Sequence, residues 1–332
     1  MFSDSVILTA RISALSDRLL TIPDVERMVS ATNFEDAFRV LNDISWSGAV
    51  ADAPNINDFE RVIDAGLFEI RHELQASGIP QNLEMFLFLP FDLQNAKCTV
   101  LSLSKGKSYD DFRELLSSLG YFEKSLSFHI LSGDLKEIPK EALFLETALR
   151  ESFSLLQNDS KKQEDALALL DIAFFRRLSE VLSRVRNRTI TEFFQKQIDW
   201  ENIKKILRGS SEHDLLLLIP QEKKGSKRMS FEESVKMLRL SPLASVLQEG
   251  LALKEKGGDI FLFEAKTELS LLETLFWPSR LSPLSYETVV LFFLTKLRNA
   301  EVIRTILVGK RNKKSIENIR NDIAHFLPFL PR

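Results

Sequence analysis

The chain has 332 residues, 44% of them apolar and 27% charged, with a formal net charge of −3. That length and balance predict a soluble globular protein with an ample core, and the slight negative charge argues against a general nucleic-acid binder. Glycine (12) and proline (11) are too scarce for an all-β fold with its many tight turns, and the single Cys98 allows no intramolecular disulfide, as expected of a reducing compartment.

In chain order the predicted elements are helical. Residues 5–20 set Val6, Ile7, Ile12, Leu15, Leu19 and Leu20 among polar positions, an amphipathic helix. Arg11 and Asp17 interrupt any signal-like apolar core, so no cleavable leader is expected. Pro23 and Asp24 start a second helix after Thr21, and Asn33 caps a third. Trp46, Gly48 and Pro54 mark a turn region before a long helix over 57–77 that carries Asp64. Pro80 breaks the chain, and Pro90 predicts a kink or a helix start ahead of Asp92. Residues 105–122 open a second stretch, and 123–150 read as an extra helical insertion. Periodic helices follow over 163–187, through Leu170, Phe174 and Leu178, and then through Phe193, Ile198 and Ile206. Gln221 to Arg228 reads as a polar, basic linker. The remainder is interrupted at Gly257-Gly258, Pro278 and Pro283. The longest apolar runs, such as Met85 to Phe91, fall far short of the roughly 20 residues that span a bilayer, so any membrane association is expected to be peripheral. The 25 phenylalanines against 3 tyrosines and 3 tryptophans suggest aromatic packing between helices rather than a base- or sugar-stacking surface.

One constellation recurs three times. A carboxylate is followed 31 positions later by an asparagine: Asp64 to Asn95, Asp171 to Asn202 and Glu268 to Asn299. Phe68 and Phe175 follow their aspartates at one spacing, with Leu272 third, and Phe86 and Phe193 precede their asparagines, with Val290 third. Gly106, Gly209 and Gly309 are expected to close the three asparagine segments. A cap, an aromatic and two acids open each copy: Asn33-Phe34-Glu35-Asp36, Ser108-Tyr109-Asp110-Asp111 and Ser230-Phe231-Glu232-Glu233. The cap oxygen accepts a free first-turn amide, and the acids sit at the positive end of the helix dipole. Repetition of this kind predicts one supersecondary unit used three times, neighbouring copies burying each other's apolar faces. The expected fold is therefore all-α, with modules at 1–106, 107–222 and 223–332.

Catalytic chemistry finds no positive pattern. Lys105-Gly106-Lys107-Ser108 lacks the upstream glycine of a phosphate loop, where Leu101 stands, and no buried strand feeds it. His72, His129, His213 and His325 are far apart, with no partner at i+3 or i+4. Cys98 reads as core filler in the first asparagine segment. No cofactor, metal or nucleotide is expected. The three carboxylate–asparagine pairs could be three ligand sites; the preferred reading is structural, because a buried carboxylate needs a partner to offset its desolvation. On that reading Asp64 meets Asn95 or Lys97, and its loss destabilises the protein more than loss of an exposed acid such as Glu73. From Lys296 to Arg320 eight Lys or Arg face only Glu301 and Glu317. The plain reading is a solvated helical face; the sharper one is a surface for an acidic partner, with Lys310, Arg311 and Lys313 as its candidate contacts.

The early stretch Ala10-Arg11-Ile12 through Leu19-Leu20, the Asp-x-x-Asn-x-Lys segments, and Arg298-Asn299-Ala300-Glu301-Val302-Ile303-Arg304 followed by Gly309-Lys310 resemble one family over essentially the whole chain. It is the central-stalk adapter of rotary A/V-type ATPases, found in archaeal and bacterial V-type ATP synthases and in the eukaryotic vacuolar pump. The resemblance implies a funnel of three helical modules around a pseudo-threefold axis, on the cytoplasmic face of the membrane. It implies the central-stalk subunits and the membrane rotor ring as partners, with the membrane part of the stator as a further neighbour. It also implies transmission of torque without catalysis, for ATP-driven or ATP-producing ion transport. This sequence departs from the pattern at Glu268 and Lys296, where the other copies have Asp, and at Trp46 and Asn312-Lys313. The alternative is a generic helical scaffold in another cytoplasmic complex.

Overall fold

The computed structural model describes residues 2–16, 19–44, 46, 59–135, 137–159, 162–208, 216–220, 228–283 and 285–327. The fold is all-α, as expected, apart, among the described residues, from one two-residue antiparallel ladder between β1 (Leu216–Leu217) and β2 (Arg228–Met229). The chain divides into two compact units, Met1–Ile79 with Ala265–Arg332, and Pro80–Glu264. The first unit brings the two ends of the chain together.

That first unit contains α1 (Phe2–Ser16), α2 (Ile22–Ser30), α3 (Phe34–Asp43) and α4 (Phe59–Ala76). It also contains most of α12 (Ile260–Leu281), and all of α13 (Tyr286–Arg311) and α14 (Ile316–Ile323). The starts follow the sequence signals. Thr21 accepts from the Asp24 N–H while Asp24 accepts from the Thr21 N–H, and Asn33 accepts from the Asp36 N–H at 2.8 Å. The 26-residue α13 is buried along most of its length by Val289, Val290, Phe292, Phe293, Val302, Ile303 and Ile306. Trp46, fully buried, lies against Gly66 of α4, where a Cβ would stand 2.2 Å from the indole ring. The Lys296 ammonium of α13 lies 4.4 Å from the Trp46 ring centroid.

The second unit contains α5 (Gln81–Ser104), α6 (Leu126–Ser132), α7 (Leu143–Asn158), α8 (Gln163–Val185) and α9 (Arg188–Arg208). The ladder, α10 (Phe231–Leu238) and α11 (Ala244–Glu255) complete it. Phe86 and Phe175 both meet Phe194, at 5.8 and 5.7 Å between centroids, and Trp200 meets Phe263 at 6.1 Å. Edge-on and offset rings fill volume without polar atoms to satisfy, as the phenylalanine excess suggests.

Several expectations are corrected. Pro90 lies inside α5, so no helix starts there, and Pro278 lies inside α12 without ending it. Ser108 opens only 3-10 turns, Tyr109–Asp111 and Arg113–Leu115, and the chain then runs through turns to the α5 side chains described below. Gly106 does end α5, at φ +74°, but Gly309 lies within α13 against Ile319, where a Cβ would stand 2.8 Å from Cγ1. Gly209, His213 and residues 221–227 of the expected linker lie outside the described residues.

Candidate functional site: three asparagine clasps and their ion pairs

The three repeated asparagines are all buried, and each holds a stretch of backbone outside its own helix. Asn95 on α5 accepts from the Ser117 N–H at 2.8 Å and donates to the Ser117 carbonyl at 2.9 Å. Asn202 on α9 treats Ile219 identically, at 2.8 and 2.9 Å. Asn299 on α13, with its carboxamide oriented so that oxygen faces a donor and nitrogen an acceptor, accepts from the Leu20 N–H at 2.7 Å and donates to the Thr295 carbonyl of its own helix at 3.1 Å. A carboxamide offers the same acceptor and donor as a peptide group, so Asn95 and Asn202 each replace one rung of a ladder for an outside segment, whereas Asn299 supplies only the acceptor to Leu20. Asp, of the same shape, could not donate.

The position three residues earlier reinforces or varies the clasp. Asp92 accepts from the Tyr121 N–H at 2.6 Å and the Phe122 N–H at 3.2 Å. Gly120 is required here, because a Cβ would stand 2.4 Å from Asp92 Oδ1. Asp199 is 1% exposed. In the third copy the same position is Lys296, whose ammonium faces the Trp46 ring instead of a row of amides. The Asp-to-Lys departure thus goes with a different neighbour.

Asp171 and Glu268 take cations. Both amide atoms of Asn95 are used by Ser117, and Lys97 pairs with Asp171, so the expected partners of Asp64 are engaged elsewhere. Asp171 also takes Lys205 at 3.4 Å. Burial lowers the Lys205 ammonium below its ordinary range, with Asp171 pulling it back up. Glu268 takes Arg298 at 2.8 Å, and the same guanidinium reaches Glu301 at 2.6 Å. Asp64 itself is an exposed residue whose carboxyl is pushed up by desolvation against its surroundings, with Arg304 pulling down and Glu60 pushing up. Its neighbour Glu60 takes Arg304 at 2.8 Å, and Glu264 takes Arg208 at 2.5 Å.

Three ion pairs join helices that bear these residues: Asp171 of α8 with Lys97 of α5, Glu264 with Arg208 of α9, and Glu60 of α4 with Arg304 of α13. Glu60 and Glu264 each precede the repeat carboxylate by one helical turn, and the 31-residue spacing does not single them out. The signal that could find them is an acid at i−4 in two of three copies.

The basic stretch is also partly internal. Lys310 is 9% exposed and donates to the carbonyls of Val29 at 2.7 Å and Ala31 at 2.5 Å, at the C-terminal end of α2. Burial lowers its ammonium below the ordinary range. The expectation that Lys310 is a surface contact is therefore corrected, since its charge serves the α2 carbonyls. Arg311 and Lys313 are exposed. Among the described residues, no three of His, Cys, Asp and Glu are grouped as a metal ion would need, and no helix is long and apolar enough to cross a membrane.

Compared with known proteins, residues 8–322 match the family described as "ATP synthase (C/AC39) subunit". The chain is also 29% identical over 153 residues to the "Archaeal Rqc2 homolog aRqcH" of Methanocaldococcus jannaschii, covering 46% of this chain and 21% of that protein. The chain thus spans about a fifth of the length of that curated relative, where it matches 21%.

Proposed function

The chain belongs to the ATP synthase (C/AC39) subunit family, and on that premise we propose that it is the non-catalytic rotor adapter of a V-type ATP synthase. In this reading it joins the central-stalk subunits to the membrane rotor ring on the cytoplasmic face and transmits torque, and it forms no covalent intermediate. The observation that carries the reading is the family match across nearly the whole chain. The clasps support it mechanically. Torque transfer needs helices that do not slide, and each clasp fixes a connecting segment by directional bonds inside a close-packed, barely compressible interior. The three-module division with pseudo-threefold symmetry belongs to the same proposal, supported by the three buried asparagines, two of which hold an outside residue identically.

The test is co-elution of the purified chain with the cognate stalk subunits, then with the solubilised ring. Binding to both is expected. Binding to neither, with a normal helical circular dichroism spectrum, would place the chain in a different assembly as a helical scaffold.

A further inference from the structure

We propose that the end of α12, bearing Trp277, Arg280 and Leu281, is a contact for an anionic phospholipid surface. Trp277 is 64% exposed and Leu281 85%, whereas the other two tryptophans, Trp46 and Trp200, are 0% and 2% exposed. The Arg280 guanidinium lies 4.4 Å from the Phe276 ring centroid, and Phe276 meets Trp277 edge-on at 5.8 Å. The tip is thus a small, stiffened apolar and cationic group rather than two stray side chains.

The sequence offsets place different residues at the matching positions. Counted from Asp64, Asp171 and Glu268, Trp277 answers to Glu73 and Glu180, and Leu281 answers to Ser77 and Arg184. The other two copies keep polar groups where this one exposes an indole and an isobutyl. Arg280 is the sole charged residue from Thr274 to Tyr286. Of the flanking acids, Glu273 lies a full turn back along the helix, and Glu287 is 8% exposed.

Size and chemistry select the occupant. A stable protein interface needs about 800 Å² from each partner, far more than two apolar side chains provide. An interfacial lipid contact needs little: an indole at headgroup depth, an aliphatic chain just below it, and a guanidinium for phosphate. A tip of this size binds more weakly than a single acyl chain, whose association constant is on the order of 10⁴ M⁻¹, and so acts as an auxiliary hold.

The inference does not depend on the rotary reading, because vesicles contain neither ring nor stalk. The full-length chain is titrated with phosphatidylglycerol or phosphatidylcholine vesicles at millimolar lipid and low salt, following tryptophan emission and co-sedimentation. Trp277 is the exposed indole, so a blue shift on phosphatidylglycerol, with quenching by brominated acyl chains, is expected to report it. Trp277→Ala with Leu281→Ala should weaken co-sedimentation about tenfold or more, and Arg280→Gln about fivefold. These side chains are exposed, so circular dichroism should be unchanged. Absence of a blue shift, equal binding to both lipids, or full binding by the double variant would each overturn the proposal. Co-elution with stalk and ring is scored separately and can succeed or fail on its own.

Discussion

An asparagine side chain is a peptide group on a one-carbon stem, and at Asn95 and Asn202 that equivalence is used in full. Replacing Asn202 by Ala leaves the Ile219 N–H and carbonyl buried without partners. A loss of about 2 kcal/mol is expected, read as a lower urea midpoint. Asn202→Asp should fail to restore it, since a carboxylate cannot donate. Asp64 should behave oppositely to the sequence expectation. Its folded pKa lies above the ordinary 3.8 through desolvation, so its charge is held unfavourably at neutral pH. Stability contributed by this group rises as pH falls through the folded value toward 3.8, because the folded state then binds more protons. Asp64→Asn should therefore be neutral or slightly stabilising at pH 7 and should flatten the pH dependence just above the usual carboxylate range. A marked drop in the thermal midpoint at pH 7 would show that the carboxylate is needed as a charge.

Helices here meet where one side chain is missing. Gly66 of α4 leaves room for the Trp46 ring, and a methyl group would stand 2.2 Å from it, so Gly66→Ala should destabilise by about 1–3 kcal/mol. Trp46→Leu in the same chain should recover part of that loss, and an unchanged midpoint in the single variant would mean the ring has somewhere else to go. Lys310 acts at the same scale, joining α13 to the end of α2. Lys310→Ala strands two helix-terminal carbonyls and removes a charge-assisted donor, with an expected loss of about 2 kcal/mol in denaturant unfolding.

The unit made of Met1–Ile79 and Ala265–Arg332 depends on both ends of the chain. Removal of residues 286–332 should expose the buried faces of α1 to α4. Hydrogen exchange is expected to show protection lost across the described parts of residues 2–76. Retained protection there would mean that the N-terminal helices pack without α13. The exposed pair Arg311 and Lys313 remains a proposed contact for an acidic partner surface. Reversing both charges should weaken complex formation in a salt-sensitive way while leaving the unfolding midpoint within about 0.5 kcal/mol of the original. Equal affinity at low salt would remove these residues from the interface.

The sequence by itself determined the helical class, the caps at Asn33 and Ser230, and the asparagine positions that matter, because these depend on local spacing and on residue chemistry. It also carried the family resemblance, which rests on the order of degenerate motifs along the chain. Only the tertiary structure decided what those asparagines hold. Ser117, Ile219 and Leu20 reach them by loop paths of different length, 22 residues on from Asn95 and 17 from Asn202, so no fixed offset betrays the pairing. The ion partners were hidden likewise, since Glu60 and Arg304 are 244 positions apart and meet only when the chain ends come together. Burial of Lys310 could not be read from a run of basic residues, because a charge run specifies composition, and which member turns inward is settled by the carbonyls that await it.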